Sequence, residues 1–579
     1  MKNVILWVNH GIKFLRNRID MKFRFLVLVA FIGIIFSCKQ DNPKQENEEQ
    51  TAIREWKPED TRSLNALTVQ RGLIENKETS TSGYVLFEPT SSTFTYLMDK
   101  QGNIVHTWKS DLNSMNSYLL PNGHLMRSER STVTPTFATG GMSGIIREYD
   151  WDGNVVWEFV LANEKELLHH DIEILPNGNV LAISYEVKTQ EEALAAGRDP
   201  ENVTSAGIWA DKIIEIKPTK PSGGEIVWEW HTWDHLIQDF DPGKANYGKV
   251  DENPRKMDIN TISSHDHPEI MTVEQIEQMK KMGNLASNLN VDNQHSELSH
   301  ANAISYNASL DQIAVSFKYF NEVYILDHST TTKEAKGSTG GKWGHGGDLL
   351  YRWGNPKNYH RGTEADRVLN MQHDVKFVPE GYPGAGNLTV FNNDIHNPDN
   401  KLPSLGAAFS KLKSPDVAIA IGDFGNYSAV HEIKPPVSSE GTYIIPEKGP
   451  IGPAEPLWTY TAPDKYSFYS PFVSGVQRLK SGNTLITCGV NGRLFEVTPE
   501  KEIVWEYWNQ YNDHYTLPDG SPAQPIGPFM FAMFRSTLLA TDYPAFAGKE
   551  LKPISPQPEP FIFKMPPPPP TDKPQDSVH

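Results

Sequence analysis

Beyond residue 84 the chain alternates short apolar stretches with tight polar turns. One phrase recurs: GIIREYDWDGNVVWEF ending at Phe159, DKIIEIKPTKPSGGEIVWEW ending at Trp230 and GRLFEVTPEKEIVWEYW ending at Trp508. Looser copies are TYLMDKQGNIVHTW, GDLLYRWG, and SAVHEIKPP followed later by PLWTYT. Each predicts a hairpin: an apolar strand, a turn of Gly, Pro or charged residues, and a strand carrying Trp. The Trp positions of the six copies are Trp108, Trp157, Trp228, Trp353, Trp458 and Trp505. A second phrase follows most copies: YLLPNGHLMRSE, DIEILPNGNVLAISYE, NAISYNASLDQIAVSF, VKFVPEGYPGAGNLTVF and VQRLKSGNTLITCG. It too reads strand, turn, strand, so each repeat predicts four strands. Four-stranded units repeated about an axis make a β-propeller. The expected fold is all-β, a six-bladed β-propeller over 81–545, with each Trp packed between neighbouring blades. The longest insertion, from His231 to about His295, predicts a helix after Thr272, lying over one face of the propeller.

The ends carry different patterns. MKFRFLVLVAFIGIIFSCKQDN has basic Lys22 and Arg24, an apolar run and then Cys38, the layout of a secretory signal. Its IFSC ending resembles a bacterial lipobox, which makes Cys38 the expected lipidation site and Met21 the expected start, with 1–37 as the signal region. The run is short for a membrane-spanning helix. Acylation at Cys38 would anchor the protein at a bacterial membrane, placing it in the envelope on the periplasmic or outer face. It would also leave Cys488 without a disulfide partner. Residues 38–80 read as a flexible tether and 546–579, with PPPPP at 566–570, as an extended tail. A formal net charge of -18 argues against nucleic acid as partner. Nothing in the pattern speaks to oligomeric state.

Aligning the second phrase on its turn brings out the chemistry. HDIEILPN begins with His170, HANAISYN with His300 and HDVKFVPE with His373; Met115 and Ser474 hold the same register in two other repeats. The innermost strand of each blade lines the central channel, so three histidines at its first position converge near the axis at one mouth. Asp171 and Asp374, each following a histidine, fall on the opposite face and are expected to bond backbone or orient neighbours. Converging imidazoles suit two chemistries. They can act as nucleophile, base and anion clamp in transfer of a sulfuryl or phosphoryl group. They can also ligate a metal with an open position for water.

Three segments carry a resemblance: SHANAISYNASLDQIAVSFKYFNEVYIL, MQHDVKFVPEGYPGAGNLTVFNND, and FYSPFVSGVQRLKSGNTLITCGVNGRLFEVTPEKEIVWEYW. Together they resemble the bacterial arylsulfotransferase family over most of 80–545. The sharper motifs are HAN before a strand, and QH followed by a turn and LTVFNN. The resemblance implies a periplasmic six-bladed propeller that moves a sulfuryl group from an aryl sulfate to a phenol, with no nucleotide donor and no cofactor. It implies a covalent histidine intermediate, with His300 and His373 as sulfate-binding or acid/base residues and Asn302 and Asn393 beside them in substrate binding. The chain departs from the family pattern in three places. FNNDIHN lacks the expected arginine, the later blade has Ser474 where the nucleophilic histidine is expected, and residues 39–80 are too few for an N-terminal β-sandwich. His170 is therefore expected to supply the missing imidazole and Arg535 the missing cation, with Ser474 lining the substrate site. Two further functions fit the same residues: a non-catalytic propeller binding an anionic or sulfated ligand, and a metal-dependent hydrolase or lyase ligated by the three histidines.

Overall fold

The computed structural model describes residues 69–561 except 91, 132–135, 263–271, 275, 278–287, 295, 397–425 and 513–530. The basic and apolar N-terminal segment with Cys38, and the PPPPP run, lie outside the described residues. Six antiparallel sheets form the blades. Blade 2 comprises Ser114–Leu119, Leu125–Arg130, Gly144–Tyr149 and Val155–Val160. Blade 3 comprises Glu166–Ile174, Val180–Lys188, Ile208–Pro218 and Gly224–His231. Blade 4 comprises Ala301–Asn307, Gln312–Phe317, Glu322–Asp327 and Tyr351–Trp353. Blade 5 comprises His373–Phe377, Leu388–Ile395, Tyr427–Ile433 and Trp458–Tyr460. Blade 6 comprises Gly475–Arg478, Thr484–Cys488, Arg493–Val497 and Ile503–Trp508. Blade 1 joins the two ends of the described chain: Met533–Leu539 is its innermost strand, beside Tyr84–Pro89, Phe94–Asp99 and Ile104–Lys109. The two recurring phrases are thus the inner and outer hairpins of the blades. Their tight turns use glycine where the backbone turns left-handed, as at Gly123 and Gly178 (φ 89° and 85°).

The six recurring tryptophans do what their spacing predicts, and each also donates its indole N–H to the outer hairpin of the next blade. Trp108 reaches the Asp150 carbonyl at 3.1 Å, Trp157 that of Gly223 at 2.8 Å and Trp228 the Thr330 hydroxyl at 3.2 Å. Trp353 reaches the Pro453 carbonyl at 2.7 Å and Trp458 that of Pro499 at 2.9 Å. Trp505 returns from blade 6 to Lys100 of blade 1 at 3.0 Å.

Three boundaries differ from the sequence expectation. Gly72–Asn76, placed above in the tether, adds a fifth strand to blade 6 by pairing with Ile503–Trp508. Lys77 and Thr81 hold on to the same blade through Glu502 and Glu496. The tail beyond Pro553 is docked as far as Phe561: Gln557 hydrogen-bonds both the amide and the carbonyl of Ile104, and Phe561 N donates to Gln510 O at 2.8 Å. A strand edge or a free carbonyl that can be paired gains enough to order even a Gly- or Pro-rich segment. Helix was expected only after Thr272, where Ile276 N does return to Thr272 O. A helix Gln190–Ala195 lies in blade 3 as well, capped by Thr189 and Glu192.

Blade 1 also buries a carboxyl. Glu88 is 2% exposed, and its carboxyl accepts from the Ser117 hydroxyl of blade 2. Burial pushes its pKa up to about 7, against the pull of Ser117, Arg127 and Arg535. A carboxyl raised above its unfolded value stabilises the fold below about pH 4.5 and loses that contribution as pH rises through 7. The shift corresponds to about 3 kcal/mol. Glu88→Gln is therefore expected to leave stability near pH 4.5 unchanged and to raise it by about 2–3 kcal/mol at pH 8, read as a urea-unfolding midpoint.

Candidate active site

The site is built where the innermost strands begin, and there the ladder is irregular in four blades. In blade 3, Ala182 pairs with Ile172 and Ser184 with Leu168, leaving His169, His170 and Asp171 opposite one residue. In blade 4 the extra residue is Asn302, in blade 5 Asp374 and Val375 share one partner, and in blade 2 it is Met115. Bulges bend a strand and re-aim its side chains. Here they come with left-handed backbone at non-glycine residues: His170 and His300 at φ 54°, Asp374 at 56° and Ser474 at 88°. Such conformations cost energy and persist where the surroundings impose them. Gly141 is one such surrounding: at φ 73° it lies so close that a Cβ there would sit 2.0 Å from the His170 ring.

The three predicted histidines come together. His170 and His300 meet edge to face with ring centres 4.5 Å apart, and His170 and His373 flank Phe534 at 6.0 and 6.4 Å. All three are buried.

Each imidazole is held by Nδ1. His373 Nδ1 lies 2.9 Å from Asn393 Oδ1 and 3.0 Å from the Met371 carbonyl. The Asn393 amide is oriented without ambiguity, because its NH2 donates to the carbonyls of Ser470 and Val473. Both partners of His373 Nδ1 are acceptors, so Nδ1 carries the proton and Nε2 keeps a free lone pair. His300 Nδ1 lies 2.7 Å from Glu297 Oε1. Glu297 also accepts from Tyr185 OH at 2.5 Å and from Tyr319 OH at 3.0 Å. These bonds and the adjacent imidazole outweigh burial and hold its carboxyl below the ordinary range. His170 Nδ1 lies 2.8 Å from His169 Nδ1. His169 Nε2 stands 3.1 Å from Asp211 Oδ1, out of line for a straight hydrogen bond but close enough for the carboxylate to favour a proton there. His169 Nδ1 then accepts, and His170 too presents Nε2 unprotonated. Burial lowers the pKa of all three histidines, His170 and His373 strongly, so they are neutral at physiological pH.

A cation completes the tier. Lys318, which follows strand Gln312–Phe317 of blade 4, lowers the proton affinity of all three histidines by its charge. Its ammonium lies over the Tyr319 ring at 5.2 Å, and among the described residues it makes no hydrogen bond or ion pair. Burial brings its own pKa down to about 8, with Glu297 and Asp394 opposing. Among the described residues no three His, Cys, Asp or Glu side chains stand close enough to hold a metal ion.

A family model described as "Arylsulfotransferase (ASST)" matches residues 53–514. The chain belongs to the arylsulfotransferase family. Membership makes it, at the level of the family, a sulfotransferase-type protein whose substrates are aryl sulfates and phenols. No curated protein matches the sequence. Similar solved structures share the fold alone. A protein of unknown function from Bacteroides caccae is 11% identical, with 79% of this chain and 98% of that one covered at TM-score 0.36. Virginiamycin B lyase from Staphylococcus aureus is 12% identical, with 78% and 88% covered at 0.31. AztD from Citrobacter koseri is 7% identical, with 79% and 98% covered at 0.30.

Against the arylsulfotransferase expectation, the remaining site residues divide. Asn393 stands in the site as the group that orients His373. Asn302 is buried and donates to the Gln372 carbonyl at 2.8 Å, tying blade 4 to the residue before His373. Ser474, expected to line the substrate site, is instead absorbed by the scaffold: its hydroxyl donates to Ser470 Oγ at 2.8 Å and accepts from Gly489 N at 3.0 Å. Arg535 lies on the innermost strand of blade 1, as its position suggested, but its guanidinium is paired with Asp171 and Asp374 rather than standing as the free cation. Lys318 and Glu297 were missed. Neither lies at the repeating register; only the charge of FKYF in an otherwise apolar stretch, and an acid three residues before His300, signal them.

If Asn393 sets the tautomer of His373, Asn393→Ala lowers turnover by about 10–100-fold. The same variant shows a mixture of Nδ1–H and Nε2–H forms in 15N spectra of His373, where the wild type shows Nδ1–H alone.

Proposed function

We propose that the protein transfers a sulfuryl group between aryl oxygens through a covalent intermediate on His373. The observation that carries this reading is the double acceptor on His373 Nδ1, which leaves Nε2 as an unprotonated nucleophile in a tier that also holds Lys318 and His300. In the donor half-reaction the Nε2 lone pair attacks sulfur, the S–N bond forms and the S–O(aryl) bond breaks. The aryl oxide leaves as the anion, since neutral His300 carries its proton on Nδ1 beside Glu297, and it is protonated in solution by the proton that His300 releases after the next half-reaction. In the acceptor half-reaction His300 Nε2 takes the phenol proton, the phenol oxygen attacks sulfur and the N–S bond breaks. The net result is one sulfuryl group moved one way and one proton moved the other. His300 suits the proton role because the Glu297 carboxylate stabilises its imidazolium. His373 suits the carrier role because its Nδ1 partners are neutral. Its sulfonated ring keeps the Nδ1 proton and a positive charge, so it remains a good leaving group.

Lys318 faces the sulfuryl oxygens in this reading, as the preorganised charge such a transfer requires. His170 closes the tier as a further donor or acceptor to those oxygens. Lipidation at Cys38 would place the channel at the cell envelope, where the donor and acceptor are small phenolic compounds.

A chromogenic aryl sulfate with a second phenol as acceptor tests the reading. Phenol release is expected to depend on the acceptor, and a sulfuryl-sized mass increase is expected on the peptide containing His373 after rapid denaturation in alkali, where an N-sulfonated imidazole survives, without acceptor. His373→Ala should abolish both. Binding of the aryl sulfate without release from folded protein would instead favour the anion-binding propeller. Activity that is lost on chelation and restored by a metal would favour the metal-dependent reading.

The cation imposes a pH limit. Because burial lowers the Lys318 ammonium to about 8, its charge is present below that pH and lost above it. For the aryl sulfate, kcat/KM is expected to fall about tenfold per pH unit above 8, since this parameter reports the free enzyme. Lys318→Arg, always charged, is expected to remove that alkaline limb.

A further inference from the structure

A transfer that uses three histidines from three blades needs them held to within about 0.5 Å of their working positions. One buried group outside the histidine tier touches the strands that carry them. Arg535 Nη1 lies 2.7 Å from Asp171 Oδ2, 3.3 Å from Asp374 Oδ1 and 2.7 Å from Tyr118 OH. Asp171 directly follows His170, and Asp374 directly follows His373. Both carboxylates also cross to the next blade: Asp171 Oδ2 accepts from Ile304 N at 3.0 Å, and Asp374 Oδ2 from Val476 N at 2.7 Å. Asp171 Oδ1 takes Asn116 Nδ2 at 2.9 Å and Tyr118 OH at 2.5 Å. Blades 1 to 6 all meet in this cluster.

We propose that Arg535 is a positioning residue, which sets the spacing of His170 and His373 by bridging the carboxylates that follow them. The proposal rests on the sulfuryl-transfer reading of the tier above. Charge separates this role from sulfate binding. Two buried carboxylates already match the guanidinium, so it offers no net positive charge to an oxyanion. Lys318 is not spent in this way. Reach matters as well: Nη1 alone makes all three contacts, and the ammonium of a lysine, one bond shorter, would stop short of that position. Arg535 Nε and Nη2 make no hydrogen bond among the described residues. That free edge is the one place an anion could still approach, and the test reads it.

The histidines report on the bridge through their titration. His170 is faced by His169, His300, His373 and Lys318, with Asp171 next in the chain. His373 is faced by Lys318 and His300, with Asn393 on its Nδ1 and Asp374 next in the chain. Arg535→Gln leaves Asp374 without its cation and Asp171 with Lys376 alone, 3.8 Å away, and the added net negative charge raises the proton affinity of a nearby imidazole. The experiment follows carbethoxylation of each histidine by mass spectrometry as a function of pH, in wild type, Arg535→Gln and Arg535→Lys, with folding checked by thermal melting. The labelling midpoints of His170 and His373 are expected to move up by about half a pH unit or more in Arg535→Gln, and by less in Arg535→Lys. In both variants kcat for the aryl sulfate is expected to fall about thirtyfold or more while KM changes less than about threefold. Unmoved midpoints in folded protein overturn the proposal. So does a raised KM with unchanged kcat, which would make Arg535 a sulfate ligand. If Arg535→Gln does not fold, Arg535→Lys decides by the same readings. If the wild type transfers no sulfuryl group, the reading of the tier falls, and the midpoints still decide whether Arg535 positions it.

Discussion

The structure depends on one interaction made six times: an indole N–H given to the next blade, buried or part-buried in five of the six. A propeller blade is a twisted sheet with two apolar faces, and its neighbours are held mainly by packing, which has little direction. An indole supplies both a large apolar surface and a single donor that must find an acceptor when buried. From Trp108 to Asp150, and onward until Trp505 returns to Lys100, each donor finds its acceptor in the outer hairpin of the following blade. The bond therefore fixes the rotation between blades as well as their contact. Six such rotations bring the innermost strands round a common axis. The ring closes through backbone hydrogen bonds in blade 1, where Met533–Leu539 pairs with Tyr84–Pro89.

What happens at the axis follows from that geometry. Innermost strands of a closed ring crowd one another at their first residues, and four of them relieve the crowding with a bulge. The bulges turn His170, His300 and His373 towards a common space and send Asp171 and Asp374 into the cluster around Arg535. The same irregularity thus produces a neutral, buried imidazole tier and a charged layer joined to it. Burial works in opposite directions in the two. It strips the histidines of their protons, while Asp171 stays ionised against burial because Arg535 and Lys376 offset it.

Much of this was legible in the chain. The Trp hairpins, the Pro-Asn-Gly turns and the register of the three histidines are periodic features, and a repeat protein builds the same environment at the same register of every blade. The feature that points to the site is the repetition of His170, His300 and His373, since one such histidine alone means little. Where neighbours outside the repeat decide a residue's role, the sequence is less informative. Ser474 shares the histidine register, yet the turn of blade 6 engages its hydroxyl. Arg535 was placed on the correct strand and given the wrong partners, because the two aspartates that match it come from residues 171 and 374. Gly72–Asn76 and the segment ending at Phe561 look like tether and tail in isolation, and are ordered only by strand edges and carbonyls supplied elsewhere.

By itself, the sequence determined the number of blades, the turns that join their strands and the three imidazoles at one register. These rest on local rules: a side-chain period of two, glycine in left-handed turns, and identical repeats. Only the tertiary structure decided which cation faces the histidines, which nitrogen of each ring is free and which charges cancel. Those are properties of groups far apart in the chain, Glu297 with Tyr185, Asn393 with Ser470, and Arg535 with Asp171, brought within hydrogen-bonding distance by closure of the ring. Proton affinity and tautomer depend on such neighbours and on the loss of water around them, and no stretch of sequence encodes either alone.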